Sequence, residues 1–179
     1  MVRSIRQRPD KEKLQLFCLE LSKVRYDILS ETFSRDEFVR PYNMSSVPST
    51  QYPSEMDIIQ FFLNTPSNLN SAGLEVVLDW YSADLKYCQS NRDVSGISYI
   101  KDHNNINRFD LVLIDGSEFT GPCDAAMVYG SKVIVLTGTE SYRGMYAHRL
   151  LKEDTTYHWV AYDPSIHDGY SIFERKDFN

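Results

Sequence analysis

Phe109-Asp110-Leu111-Val112-Leu113-Ile114-Asp115-Gly116-Ser117-Glu118-Phe119 is the stretch that decides the fold class. The run Phe109–Ile114 is apolar but for Asp110 rather than strictly alternating, as expected of a strand covered on both faces by helices. It ends at Asp115, and Gly116 permits a tight turn after it. Downstream, Pro122–Tyr129 reads as a short helix, Lys132–Leu136 as the next buried strand and Tyr142–Glu153 as a longer helix. Tyr157–Tyr162 and Tyr170–Arg175 read as two strands too close in sequence for a helical crossover, so they should be antiparallel neighbours.

Upstream, Glu37–Pro41, Leu74–Leu78 and Gly96–Ile100 read as strands and Ala83–Asn91 as a short helix. Pro53–Asn64 reads as a helix starting at Ser54, with Met56, Ile59, Phe62 and Leu63 on its buried side. Strands alternating with helices predict an α/β fold: a Rossmann-like, mostly parallel sheet with helices on both faces and an antiparallel C-terminal hairpin. Leu14, Phe17, Leu21, Val24 and Ile28 recur at three- and four-residue steps, which predicts one helix over Asp10–Phe33. The expected organisation is an N-terminal helical extension over residues 1–36 and the α/β domain over 37–179. The extension offers a surface for the main domain or for a homodimer with a second copy.

Composition limits the function classes. The hydrophobic fraction of 42% is enough for a sizeable core. A net charge of −6 opposes general nucleic-acid binding, which needs a basic face to displace counterions from phosphates. The basic residues Arg3, Arg6, Arg8, Lys11 and Lys13 concentrate at the N-terminus, where a solvated end is expected. Cys18, Cys88 and Cys123 are far apart and form no CxxC pair, against a zinc ribbon or a disulfide framework. No run reaches the ~18–20 apolar residues of a membrane span, and the first residues contain no apolar h-region, so a secretory signal is not expected. A cytoplasmic protein is expected.

In open α/β sheets, ligands bind beyond the carboxyl ends of the strands. That rule selects Asn43, Asp79, Asp102 with His103, Asp115, and the loop Thr137–Glu140. An acidic residue just beyond the second strand suits a ribose, because a carboxylate accepts from both hydroxyls. Asp79 holds that place with Trp80 beside it as an aromatic face; the other reading is that Asp79 caps the helix that follows. Asp115, aimed out of a buried strand, suits a metal ligand or a base and is also a common turn former, with Glu118 and Asp124 near in sequence. The histidines His103, His148, His158 and His167 show no metal-ligand spacing, so no metal site is expected. There is no G-x-S-x-G elbow and no Walker loop.

From Phe109 through Gly121 the chain resembles class I S-adenosylmethionine-dependent methyltransferases of the FkbM-like and macrocin-type O-methyltransferase group. The resemblance continues through Ser131–Leu136, Tyr142-Arg143-Gly144 and Asp168–Arg175. It implies a seven-stranded sheet and an O-methyltransferase acting on a small molecule or glycan, with S-adenosylmethionine as cofactor. By the same resemblance Asp79 takes the ribose, Asp102 and His103 flank the adenine, and Asp115 stands near the acceptor. Tyr42 and Asn43 fall in the loop that bends under the methionine part of the cofactor. That loop is glycine-rich in the family, whereas this chain has no glycine before Gly73. After the next strand, where the family carries acids, the chain reads Leu136-Thr137-Gly138-Thr139. The alternative function is a catalytically degenerate relative kept as a binding or interaction module.

Overall fold

The computed structural model describes residues 2–177, which form a mixed α/β fold. Among them are seven α-helices and six strands: α1 (Val2–Arg6), β1 (Leu16–Leu19), α2 (Lys23–Thr32), β2 (Val39–Tyr42), α3 (Glu55–Asn64), α4 (Leu74–Ser90), α5 (Gly96–Asn104), β3 (Leu111–Ile114), α6 (Gly121–Val128), β4 (Val133–Thr137), α7 (Tyr142–Glu153), β5 (Tyr157–Asp163) and β6 (Tyr170–Arg175). β1 and β2 form a small parallel sheet, and the other four strands form a sheet in the order β3-β4-β6-β5. Within the larger sheet only β3 and β4 are parallel; β4–β6 and β5–β6 are antiparallel. The expected C-terminal hairpin is present, but the large sheet is mixed rather than mostly parallel.

The N-terminal half departs from the sequence reading. The expected helix over Asp10–Phe33 is a β-α-β unit, in which Leu16–Leu19 pairs in register with Val39–Tyr42. Ser22 caps α2 by accepting a hydrogen bond from the Arg25 amide, so the helix begins after the strand. Val24 and Ile28, placed on a buried stripe by their spacing, are 70% and 61% exposed. The unit straddles residue 36, and Leu19 packs against the main core.

Leu74–Leu78 is not a strand but the first turns of α4. Val77, Tyr81 and Cys88 are its buried residues, a helical spacing that outweighs the short β-like run Leu74–Leu78. Gly96–Ile100 likewise opens α5: the Ser95 hydroxyl accepts from the Ser98 amide, and Ile97 and Ile100 turn inward. In α3, Ser54 and Asp57 form a reciprocal capping box, and the buried residues are Ile58 and Phe61. Met56 and Leu63, expected inside, are exposed.

Two cores result. One lies on a single face of the large sheet, where Ile114, Ile134, Leu136 and Phe173 meet Ile97, Val128, Ala147 and Leu151 from α5, α6 and α7. The opposite face is open at the β3 edge, where Leu111 and Leu113 are 49% and 48% exposed. The expectation of helices on both faces therefore fails at the strand that suggested it. The second core gathers Ile58, Phe61, Val77 and Tyr81 from α3 and α4 around Phe119 and Tyr142, beyond the carboxyl ends of β3 and β4.

α6 and α7 approach closely enough that a Cβ at Gly121 would drive into the Arg143 carbonyl. Gly73, by contrast, has open space around its Cβ position. Gly121→Ala should therefore destabilise the fold by about 2–3 kcal/mol, whereas Gly73→Ala should change stability by less than about 0.5 kcal/mol. Urea denaturation of the two variants checks this, and similar midpoints for both would contradict the packing described.

Candidate functional site

β3 and β4 run parallel with Ile114 opposite Leu136, so the residues just beyond them emerge side by side. The Thr137 hydroxyl donates to Asp115 Oδ1 at 2.6 Å. Arg143, in the first turn of α7, places Nη1 3.5 Å from the same carboxylate oxygen and 3.3 Å from the Gly116 carbonyl. Its guanidinium lies against Gly138, where a Cβ would come within 2.5 Å of Nε. Gly138 also has φ of 65°, so both its backbone and its missing side chain suit the position. Arg143 Nε is buried with no hydrogen-bond partner among the described residues.

Glu118 approaches the same turn from below: Oε1 accepts from the Arg143 amide at 3.1 Å. Burial pushes its pKa up, and the nearby Asp168 adds to this, while Ser141 and Arg143 pull it down. Asp115, with its side chain 59% exposed, and the more buried Glu118 thus flank one arginine in different environments. Such a pair can divide acid and base roles between its members.

A strained loop covers this end of the sheet. His167, Asp168 and Gly169 have φ of 51°, 59° and 87° in succession. Backbone bonds from Gly138, Thr139 and Glu140 to the carbonyls of His167, Gly169 and Asp168 hold it in place. Asp168 also accepts from the Asn68 side chain at 3.1 Å. Left-handed backbone costs a residue with a Cβ roughly 1–2 kcal/mol, and such strain collects at functional sites.

Beside the loop is a groove of about 480 Å³ lined by Thr139, Glu140, Met145, His148, Arg149 and Lys152. Tyr162 donates to Glu140 at 2.7 Å, and that bond raises its pKa to about 12. His148 Nδ1 lies 2.7 Å from the hydroxyl of the fully buried Ser171, with its ring stacked on Tyr162. Burial and then Lys152 lower the His148 pKa, against the pull of Glu140.

A further polar cluster joins the ends of β2 and β3. Asp124 is buried, accepts from Thr120 at 2.8 Å and has its pKa raised by burial against the influence of Ser46 and Thr120. Asp84 accepts from the Ser117 and Tyr52 hydroxyls. The loop after β2 and the helix after β3 therefore meet through Ser46 and Asp124.

Of the residues selected from sequence, Asp115 stands where expected. Asn43 follows β2, but its amide is committed to the Glu20 and Leu21 carbonyls, both at 2.9 Å. Tyr42 packs against Phe17 and Tyr99. Asp79 and Trp80 lie on the exposed side of mid-α4 rather than beyond a strand, which removes the reason for placing a ribose there. Asp102 and His103 are exposed on α5, where His103 stacks on Tyr99. These residues do not form one cradle. Two groups escaped the sequence reading. Arg143 lies in the first turn of α7, and no spacing along the chain marks it. Glu20 follows β1 directly and accepts from the Ser22 amide at 2.8 Å; only the hidden strand would have drawn attention to it. Among the described residues, no group of three or more acidic, histidine or cysteine side chains is placed to hold a metal ion.

His167→Gly should raise stability by roughly 0.5–1 kcal/mol, the relief of left-handed backbone less the entropy of glycine. A chemical-denaturation midpoint equal to or below that of wild type would show that the loop is not strained. For His148 the ordinary value is 6.5 and the folded value lies below it. Between the two the unfolded chain binds more protons, so this group's contribution is full above 6.5 and declines as pH falls. Glu118 acts in the opposite direction, being stabilised at low pH and losing that stabilisation as pH rises through its raised value. His148→Gln keeps a hydrogen-bonding partner for Ser171 without titrating. Its melting temperature relative to wild type should improve between pH 7.5 and 5.5, and parallel curves would count against the buried imidazole.

Compared with protein-family models and with curated proteins, the chain matches none.

Proposed function

We propose that the chain is an S-adenosylmethionine-dependent O-methyltransferase of the Rossmann-like type, acting on a small molecule or glycan in the cytoplasm. The observation that carries this reading is the cluster of Asp115, Glu118 and Arg143 beyond the carboxyl ends of the parallel pair β3–β4, where α/β folds bind ligands. It lies in the segment that carries the family resemblance, and the antiparallel hairpin accords with that resemblance. Among the described residues no helix is long and apolar enough to cross a membrane.

Two carboxylates support the reading. Glu20 follows a parallel strand, so this carboxylate, in place of Asp79, would hold the ribose hydroxyls. Asp115 is accessible to an acceptor. The cofactor supplies a methyl group activated by a sulfonium; the chain supplies alignment, which can provide much of the rate enhancement. Asp115 can take the proton of the acceptor hydroxyl, and Thr137 with Arg143 fixes the direction of its carboxylate. Arg143 also holds positive charge close to the oxygen that loses that proton.

A second reading, a degenerate relative serving as a binding module, is favoured by the scattering of Asp79, Trp80, Asp102 and His103 over exposed helix surfaces and by the committed amide of Asn43. As a module it would use the exposed Val24 and Ile28 of α2 in place of the long helix expected from sequence. Calorimetric titration of the full chain with S-adenosylmethionine and its demethylated product separates the two readings. The enzyme reading expects binding that Glu20→Gln weakens about tenfold, equivalent to ~1.4 kcal/mol, and that Asp79→Ala leaves unchanged. No heat at millimolar ligand, with the protein folded, would leave only the binding module.

A further inference from the structure

The polar joint between the ends of β2 and β3 holds a carboxyl group that the proposed chemistry does not use. Asp124 is only 4% exposed. Its Oδ2 accepts from the Thr120 hydroxyl at 2.8 Å, whereas Oδ1 is buried with no hydrogen-bond partner among the described residues. Buried polar atoms are ordinarily paired, and an unpaired charged one is the costliest case. The turn after β3 closes one side of the group, since a Cβ at Gly116 would lie 3.4 Å from Oδ2. The loop after β2 closes the other, where the Ser46 hydroxyl acts on the carboxylate.

That loop is fastened unevenly. Met44, Ser45 and Val47 are buried. On the α5 side the backbone holds it: the Gly96 and Ile97 amides donate to the Ser45 and Ser46 carbonyls at 2.8 and 3.1 Å. A Cβ at Gly96 would come within 2.5 Å of the Ser45 carbonyl oxygen, so backbone lies on backbone there. Towards α6 the ties are made by side chains. Ser46 faces Asp124, and the Cys123 thiol donates to the Gln51 carbonyl at 2.9 Å.

The surroundings select the form in which Asp124 is held. The loop presents Tyr52, α4 presents Asp84 and Cys88, and α6 itself carries Cys123. Burial pushes the Tyr52 pKa up, and Asp84, Cys88 and Asp124 add to that effect; Asp124 likewise adds to the effect of burial on Cys123. These neighbours are neutral or negative, and none is a cation. In the turn after β3, Glu118 accepts from the Arg143 amide. The Arg143 guanidinium is directed to Asp115 and the Gly116 carbonyl. α5 contributes only the Ser95 hydroxyl, which donates to the Ser46 carbonyl at 3.3 Å. Burial raises the Asp124 pKa against the pull of Ser46 and Thr120. A charge in this place is desolvated and has no counter-ion.

We propose that Asp124 is a proton-operated latch between the loop after β2 and the turn after β3. The uncharged carboxyl keeps the two seated, and the carboxylate loosens the loop on its α6 side. An uncharged carboxyl tolerates burial, whereas a carboxylate draws in water. The flank of the loop held by side chains is the route that breaks the least backbone structure. The sign follows from linkage. Between 3.8 and the raised value the folded chain binds more protons than the unfolded one, so the stabilisation is full at low pH and is lost as pH rises. The latch goes beyond the proposed function and stands without it.

The test is hydrogen exchange of the full chain at pH 4.5 and pH 8, expressed as protection so that the intrinsic pH dependence of exchange cancels. From the lower to the higher pH, amides between positions 44 and 52 should lose protection roughly fivefold or more beyond any loss in β4 and β6. Asp124→Asn, which cannot titrate, should abolish that extra loss. Glu118 titrates in the same direction, so the difference between wild type and variant carries the result. Carbon-13 NMR of the Asp124 carboxyl should give a titration midpoint above 3.8. Ser46→Ala takes the loop's hydroxyl from the carboxyl and should raise that midpoint further, a readout that stands even where Asp124→Asn fails to fold. Loop protection that merely follows β4 and β6, the same extra loss in Asp124→Asn, a midpoint at or below 3.8, or a midpoint unmoved by Ser46→Ala overturns the latch.

Discussion

The contact of α7's first turn with the ends of β4 and α6 is the constraint on which the rest of the structure depends. A Cβ at Gly121 would collide with the Arg143 carbonyl, and one at Gly144 would come within 2.5 Å of the Thr137 carbonyl. Backbone therefore meets backbone, with no side chain available to adjust the spacing. Once that turn is seated, consecutive residues face different surroundings. Ser141 reaches Glu118, Tyr142 enters the aromatic core around Phe61, and Arg143 bridges Asp115 and the Gly116 carbonyl. The aromatic core and the carboxylate cluster are thus positioned by three consecutive residues at the start of one helix.

The C-terminal half was legible in the sequence because its signals are local and agree with one another. Tyr142–Glu153 and Tyr170–Arg175 coincide with α7 and β6, and the short loop of the final hairpin admits only an antiparallel return. The N-terminal half misled because competing periods overlap. Leu14, Phe17 and Leu21 fit a helical stripe, yet the chain changes from strand to helix within it, at the Ser22 cap. In α4 the opposite error arose: Leu74–Leu78 looks like a strand over five residues, and only Tyr81 and Cys88, further on, disclose the longer helical period.

Those errors explain which part of the site could be read in advance. Asp115 was found because the strand before it was found. Asp79 was chosen by counting strands, so misreading α4 carried the ribose assignment onto an exposed helix. Glu20 lies just beyond a true parallel strand, the first rather than the second, but that strand is only four residues long and lies concealed in an amphipathic pattern. Arg143 is a different case. Its importance comes from the space left by Gly138 and from two carboxylates brought together by folding, and no spacing along the chain contains that information.

β3 is the outermost strand of its sheet, and its half-exposed leucines have a colloidal consequence. The outer row of amides and carbonyls along Leu111–Ile114 faces no strand within the large sheet, and an apolar edge of that kind is a template for adding a strand from another molecule. Arg108 and Asp110 on one side, and Asp115 on the other, are exposed charges bracketing the run. Charged brackets of this sort act as gatekeepers, because stacking a second strand in register would force their desolvation. The carboxylate that marks the candidate site thus has a second physical effect, limiting self-association along an unpaired edge.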